Sequence, residues 1–384
     1  LLGRESGMPL SLRYRAGLAL RCLLRSRTGV AGALLCVLTA IGTPLLAMAP
    51  SANAPVEFAG MPLGAAVSPT THRLFVATFP DQAIWALSPE EGRALGAAPV
   101  DAGQLGAMAA NPATNHLYVA ALPDHVAVLA GASDTVLATI KLDVLPVGLA
   151  VNAVTNRVFV LGLDVSDSHG PDVVVMLDGD RDVVLAETPV GAHPQGIAAN
   201  PATNKVYVAN MGSDTVSVLD GTSSRVIATV PVGRHPRFVA TNARTDRVFV
   251  GNEDGGTVSV LDGHRNALLA TIRVGGVPSA VAVNEETNRI YVGDAHSGLV
   301  TVIDGARNRV LTTLRLGAST WAIAVDASAS RLYSTDSSGS TIWSIQDHHA
   351  RLPTARLIGR LTQSGPSPAE FGPDCRCTGP GASR

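Results

Sequence analysis

From about residue 56 onward, short runs of alternating apolar and polar residues are separated by clusters of Gly, Pro, Asn and Asp. Period-two alternation predicts half-buried β-strands, and the clusters predict the turns between them. Residues 200–233 show the pattern most plainly. Asn200 to Asn204 reads as a turn, Val206 to Ala209 as a strand, Asn210 to Asp214 as a turn, and Thr215 to Leu219 as a strand. Asp220-Gly221 opens a third turn, Arg225 to Val232 forms another strand, and after His235-Pro236 an apolar strand starts at Phe238. The predicted unit is one four-stranded antiparallel sheet.

The turn before the Val-Tyr-Val strand recurs at Ser68, Asn111, Asn152, Asn200, Asn242, Asn284 and Asp326, at intervals of 43, 41, 48, 42, 42 and 42 residues. Helical repeats share this period. Units built from Val, Thr, Ile and Tyr in period two, with breakers at every junction, exclude them. The expected fold is all-β: a seven-bladed β-propeller with four antiparallel strands per blade, spanning residues 55–360. Such a ring must close. Arg351 to Gly359 aligns without gaps to Arg225–Gly233 and can supply the outer strand of blade seven, with Pro353 at an edge where a missing donor is tolerated. Val56-Glu57-Phe58 competes for the same place, and the sequence leaves both closures open. Trp85 and Trp343 share the repeat position of Ser217 in the first and last blades and are expected to fill the core near the seam.

Residues 1–54 differ in kind. Five arginines, Arg13, Arg15, Arg21, Arg25 and Arg27, precede an apolar run from Thr28 to Ala49, the shape of an export signal, with cleavage sites near Ala49 and Ala54. Pro50 and Pro55 disfavour cleavage there, so an uncleaved anchor formed by residues 28–49 is the alternative. Either way the propeller is expected in the periplasm or outside the cell, touching the membrane only through this segment. The six arginines and one glutamate of the leader leave 23 basic and 30 acidic residues in the rest of the chain, a net charge of −7. A duplex-binding surface would show the opposite sign, so duplex nucleic acid is not the expected partner. The four cysteines fall in the leader (Cys22, Cys36) and in a Gly/Pro/Ser-rich tail, residues 361–384, that is expected to be disordered (Cys375, Cys377).

Val206-Tyr-Val-Ala-Asn210, Thr215-Val-Ser-Val-Leu-Asp220 and Ile227-Ala-Thr-Val-Pro-Val-Gly233 resemble the YVTN family of β-propeller repeats, also described as YncE-like. The resemblance extends to all seven copies and is strongest in blades four to six, where the first phrase becomes Val248-Phe-Val-Gly-Asn252 and Ile290-Tyr-Val-Gly-Asp294. It implies an exported, periplasmic or cell-surface protein, surface-layer components among them, and specifies no reaction. Similar propellers occur in lactonases and haem-binding nitrite reductases. Fold-level likeness is a weak guide to chemistry.

Propeller topology gathers two kinds of loop around one mouth of the central channel: the loop after each Val-Tyr-Val strand and the loop between blades. There the sequence places His193 and Gln195, His235 and Arg237, Asp294 with His296, and Trp321, the candidate contacts for a ligand or partner. Gln195, Arg237 and Trp321 break the repeat at the residue entering the inner strand, where the other blades have Leu63, Leu105, Val147 and Ser279. Departures from a repeat at an exposed position point to contact more than the repeat does. Asn210, Asn252, Asp294 and Asp336 recur at one position and read as turn residues that bond their own backbone. His193 and His235 are also the candidate ligands of a divalent metal, which would make the protein a metal-assisted hydrolase or lactonase. A longer loop in blade three, Gly162 to Asp172, reads as a partner-binding loop and part of the contact surface; its Asp164, Asp167, His169 and Asp172 are the alternative, a second candidate cation set whose spacing is not that of an EF-hand. No Cys-x-x-Cys-His, phosphate-binding Gly-rich motif or His-Glu-x-x-His is present. The reading that emerges is a binding or scaffold module whose partner is an envelope protein or a small ligand; a purely structural surface component is the third alternative.

Overall fold

The computed structural model describes residues 56–361, apart from 59–60, 80–81, 91–92, 101–102, 134, 166–169, 337, 339–340 and 349–350. The leader, the tail beyond Leu361 and all four cysteines lie outside the described residues. The chain forms seven sheets in sequence order, six of four antiparallel strands and one of five in which the fifth strand is parallel. Blade four is Pro194–Asn200, Lys205–Asn210, Thr215–Asp220 and Val226–Pro231; the last three lie within one residue of the boundaries read from the sequence, whereas the strand read from Phe238 is the first of blade five, Pro236–Asn242. The first strand of every blade is innermost, and these seven strands contact one another in a closed circle.

The core is a ring of interfaces. Each of seven clusters of buried apolar residues lies between the facing surfaces of two neighbouring blades. One aromatic residue of the repeat enters each of them: Phe75, Tyr118, Phe159, Tyr207, Phe249, Tyr291 and Tyr333, all 0–1% exposed. Period-two alternation produces this directly, because opposite faces of one strand pack against opposite neighbours. Trp85 packs in the cluster between blades seven and one, at the seam. Trp343 packs one interface earlier, between blades six and seven.

Closure uses both candidate segments, so they do not compete. Arg351–Leu361 is the fourth strand of blade seven, antiparallel to Thr341–His348, and Val56–Phe58 pairs parallel to its far edge as a fifth strand. The gapless alignment of that outer strand is corrected. Ser344 occupies the place of Val218, yet it pairs with Arg356, where the alignment would put Thr354. The cause is the turn. Blade four turns at Asp220-Gly221, whereas blade seven has Gln346-Asp347 there and its third strand runs on to His348, which pairs with Arg351.

On the face opposite the candidate loops, a side-chain belt joins the blades. The Asn that opens the inner-strand turn accepts an N–H from its own turn (Ala202 to Asn200 Oδ1, 3.0 Å) and donates across the interface. Its amide reaches the left-handed residue of the next blade's turn: Asn111 to Asn156 (2.6 Å), Asn152 to Asn204 (2.8 Å), Asn200 to Asp246 (2.9 Å) and Asn242 to Asn288 (2.9 Å). The remaining three links vary the chemistry: Ser68 to Asn115, Asn284 to Asp347, and His72 to Asp326 across the seam, at 2.7 Å. Asn115, Asn156, Asn204, Asp246 and Asn288 have φ near +50°, a conformation Asn and Asp tolerate better than most residues. Glycine of the neighbouring Asp-Gly turn is required by their approach, since a Cβ at Gly221 would lie 2.3 Å from Asn204 Oδ1. The aspartates of those turns bind backbone N–H groups. Asp262 accepts from Arg265 and His264 and pairs with Arg247, and despite burial its carboxyl is held down to about 2. Asp178, Asp220 and Asp304 are lowered as well.

Two outcomes are expected. Asn200→Ala unpairs the Ala202 N–H and breaks one inter-blade link, so the urea midpoint should fall by the equivalent of about 1 kcal/mol or more; an unchanged midpoint would refute the belt's role. The lowered aspartates mean that the unfolded chain binds more protons in acid. Their stabilisation is complete above the ordinary carboxylate range and lost as pH falls from about 5 toward 2. Asp262→Asn should flatten that slope in thermal melts across this range, with its stability deficit largest at neutral pH.

Candidate functional site

The loops after the second strands and the loops between blades are bonded to one another on a single face. Met211 N–H donates to His193 O (3.1 Å), Glu253 N–H to His235 O (2.9 Å) and Ala295 N–H to Val277 O (3.1 Å). In blades four to six the two kinds of loop are therefore joined at the predicted mouth.

Every inner strand carries a β-bulge at its mouth end, visible as a register shift between Pro62 and Gly64, Leu105 and Met108, Pro146 and Gly148, Pro194 and Gly196, Pro236 and Phe238, Pro278 and Ala280, and Thr320 and Ala322. A bulge leaves one residue out of the ladder and re-aims its side chain. The residues it singles out are Leu63, Val147, Gln195, Arg237, Ser279 and Trp321. Leu105, matched to these from the sequence, pairs with Ala121 as Pro194 pairs with Asn210; the matching residue is Gly106.

The bulged positions divide the rim by chemistry. Blades four to six present Gln195, Arg237 and Ser279, while blades seven, one and three present Trp321, Leu63 and Val147. Trp321 is 43% exposed, whereas the aromatic of the repeat is buried in every blade. Arg237 pairs with Glu253 at 3.2 Å, and its guanidinium carbon lies 5.3 Å from the centre of the Phe238 ring. Ser279 is turned inward and donates to Thr320 O of the next blade at 2.7 Å. Gln195 is half-buried.

The two histidines serve the backbone. His193 and His235 have φ of 48° and 51°, and their N–H groups donate to Asp172 and Asp214 at 3.0 and 2.8 Å. Each thus latches the loop of one blade to that of the next. The His235 ring pairs with Asp254 at 2.7 Å, and Arg234 adds a longer contact to the same carboxylate at 3.5 Å. Asp172 also accepts Asp164 N–H at 3.1 Å, so it is the blade-three counterpart of Asp214. Asp167 and His169 lie outside the described residues. Among the described residues no three His, Cys, Asp or Glu side chains gather as a metal site requires. The loop carboxylates and amides hold the rim. Asn210 and Asn252 are fully buried and bond Ser217 and Ser259 at 2.9 and 3.0 Å; Asp294 accepts the N–H of exposed His296 at 2.8 Å. Asp336 accepts the N–H groups of Ala318 and Ser319, both at 3.0 Å, just before Trp321. What the sequence could not disclose was the backbone role of the histidines, since a positive φ leaves no mark on residue type when the residue is His.

No family model matches the chain, and no curated protein matches it.

Asp336→Ala would strand two N–H groups beside Trp321. Thermal stability should drop by about 3 kcal/mol, and Asp336→Asn should recover part of it. Equal stability of the Ala variant and the wild type would refute the assignment of Asp336 as the holder of this loop.

Proposed function

We propose that the chain is an exported β-propeller of the YVTN type that acts as a binding module, taking its partner at the bulged rim of the channel mouth. The observation that carries this reading is Trp321, a tryptophan on a bulge that stays 43% exposed while the aromatic of the repeat is buried in every blade. Tryptophan combines a large apolar area with a donor and is enriched where binding energy concentrates. Arg237 and Gln195 face it from the polar arc, so the rim suits a partner with an apolar projection flanked by hydrogen-bonding groups, an envelope protein being the class that fits the basic and apolar leader. The turn roles of His193, His235, Asp172 and Asp294 support binding over metal-assisted hydrolysis.

The test is site-specific photocrosslinking in cells. A photoreactive residue at Trp321 should capture a discrete partner, and one at Val154, which is 77% exposed on the opposite face, should not. Trp321→Ala should weaken binding of the captured partner at least tenfold, about 1.4 kcal/mol or more. Equal capture from both faces, or unaltered affinity in the variant, would refute the reading.

A further inference from the structure

Blade seven departs from the repeat at three places that the pairing brings together. Opposite Tyr333 stands Ser344, where Tyr207, Phe249 and Tyr291 face Val218, Val260 and Val302. Opposite Ser344 stands Arg356, where Val218 and Val260 face Ala228 and Ala270. Opposite Arg331 stands Gln346, where Arg157 and Arg247 face Asp178 and Asp262. In blades two, four and five, then, this site holds a valine and an alanine that packs on the core, and in blades three and five a neutralised arginine. Here it is a pocket of about 110 Å³ lined by Arg331, Ser344, Gln346, Thr354, Ala355 and Arg356.

The lining donates and barely accepts. Arg157 and Arg247 reach their aspartates at 3.1 and 3.0 Å. Arg331 instead spends its Nε on the neutral Gln346 Oε1 at 3.2 Å, and its Nη1 is 4.0 Å from Glu90, which is 71% exposed and neutralises little. Gln346 is committed, since its amide nitrogen donates to Ala329 O and Ser330 O at 3.3 and 3.1 Å. The adjacent carboxylate, Asp347, points to the other face of the strand, where Asn284, Thr287 and Arg289 take it. That leaves two guanidiniums and two hydroxyls without a carboxylate at bonding distance. Ser344 is only 4% exposed.

We propose that this pocket binds a tetrahedral oxyanion, phosphate or sulfate. Two planar guanidinium forks provide charge-assisted hydrogen bonds to such a group, and the hydroxyls complete a non-planar set of donors. The site is separate from the rim and does not depend on the reading given for it.

The test is a titration of the purified full chain with phosphate, sulfate and acetate at constant ionic strength, followed by thermal unfolding and calorimetry. A ligand that binds only the folded state raises the melting temperature in a saturable way. Phosphate, sulfate or both should do so, the stronger of the two identifying the ligand, with acetate at least tenfold weaker. The double variant Ser344→Val/Arg356→Ala restores the residues of blades two, four and five and is therefore compatible with folding; it should abolish the effect. Gln346→Asp, which returns a carboxylate to Arg331, should weaken binding at least tenfold, and Glu90→Gln should strengthen it. Absence of a saturable shift, an equal response to acetate, or a response retained in the double variant would overturn the proposal.

Discussion

The amide of one turn hydrogen-bonding to the left-handed residue of the next is the constraint on which this ring depends. Apolar packing between blades is strong but undirected, and it would tolerate blades sliding against one another. The hydrogen bond is directional, and its partners fix each blade at a defined place along its neighbour. The positive φ at each acceptor costs backbone energy, which the inter-blade bond offsets. The adjoining glycine clears the space. Asn, the left-handed Asn or Asp, and Asp-Gly are thus one device spread over two blades, which explains why the repeat keeps its donor Asn at sites 0–1% exposed, such as Asn200 and Asn111.

Where the device is incomplete, the substitutions are chemically coherent. Ser330 of blade seven cannot reach the amide of Asn284, and Asp347 of the next strand takes it instead. At the seam, His72 replaces the left-handed Asn and Asp326 replaces the donor Asn, so donor and acceptor exchange places in the link. Burial works against the charge on Asp326, but the Ser328 hydroxyl, His72 and the Ala329 N–H outweigh it and keep the carboxyl below its ordinary range. The outer strands have a different problem, since each sheet ends in an edge able to pair with another chain. The outer strand of every blade carries a bulge, and the bulged Leu137, Leu185, Ile227 and Leu269 stand exposed, so the ladder is broken where another strand would dock. In blade seven, Val56–Phe58 covers the Gly359–Leu361 end of that edge.

The fold was legible in the sequence because periodicity and turn chemistry repeat seven times, so each copy corrects the reading of the others. Closure was not, because it rests on a three-residue parallel strand with no repeat to compare and on a hairpin whose missing Asp-Gly turn shifts the register. The rim was partly legible. Gln195, Arg237 and Trp321 stood out as departures from the repeat, and the structure places all three on bulges. The histidines stood out equally, yet their shared position reflects a backbone requirement. Asp172 and Asp294 likewise act within turns, and a list of potential ligands cannot separate that role from coordination.

A residue that departs from a repeat is informative only when its partners depart with it. Ser344 alone would be a tolerated loss of packing, and Arg356 alone a long side chain on an exposed edge. Read in the gapless alignment, Arg356 falls two positions from the alanine it replaces and the coincidence disappears. The actual pairing sets Ser344 between Tyr333 and Arg356, with Gln346 opposite Arg331 on the same face. Three changes that each remove an apolar contact or a compensating charge then occupy one volume. An isolated change of this kind costs stability with no return, because an apolar contact and a local ion pair are both lost. Their concentration at the blade that closes the ring fits contact with an anion, which would balance the charge that Arg356 adds and that Gln346 leaves on Arg331 and would accept from the Ser344 hydroxyl.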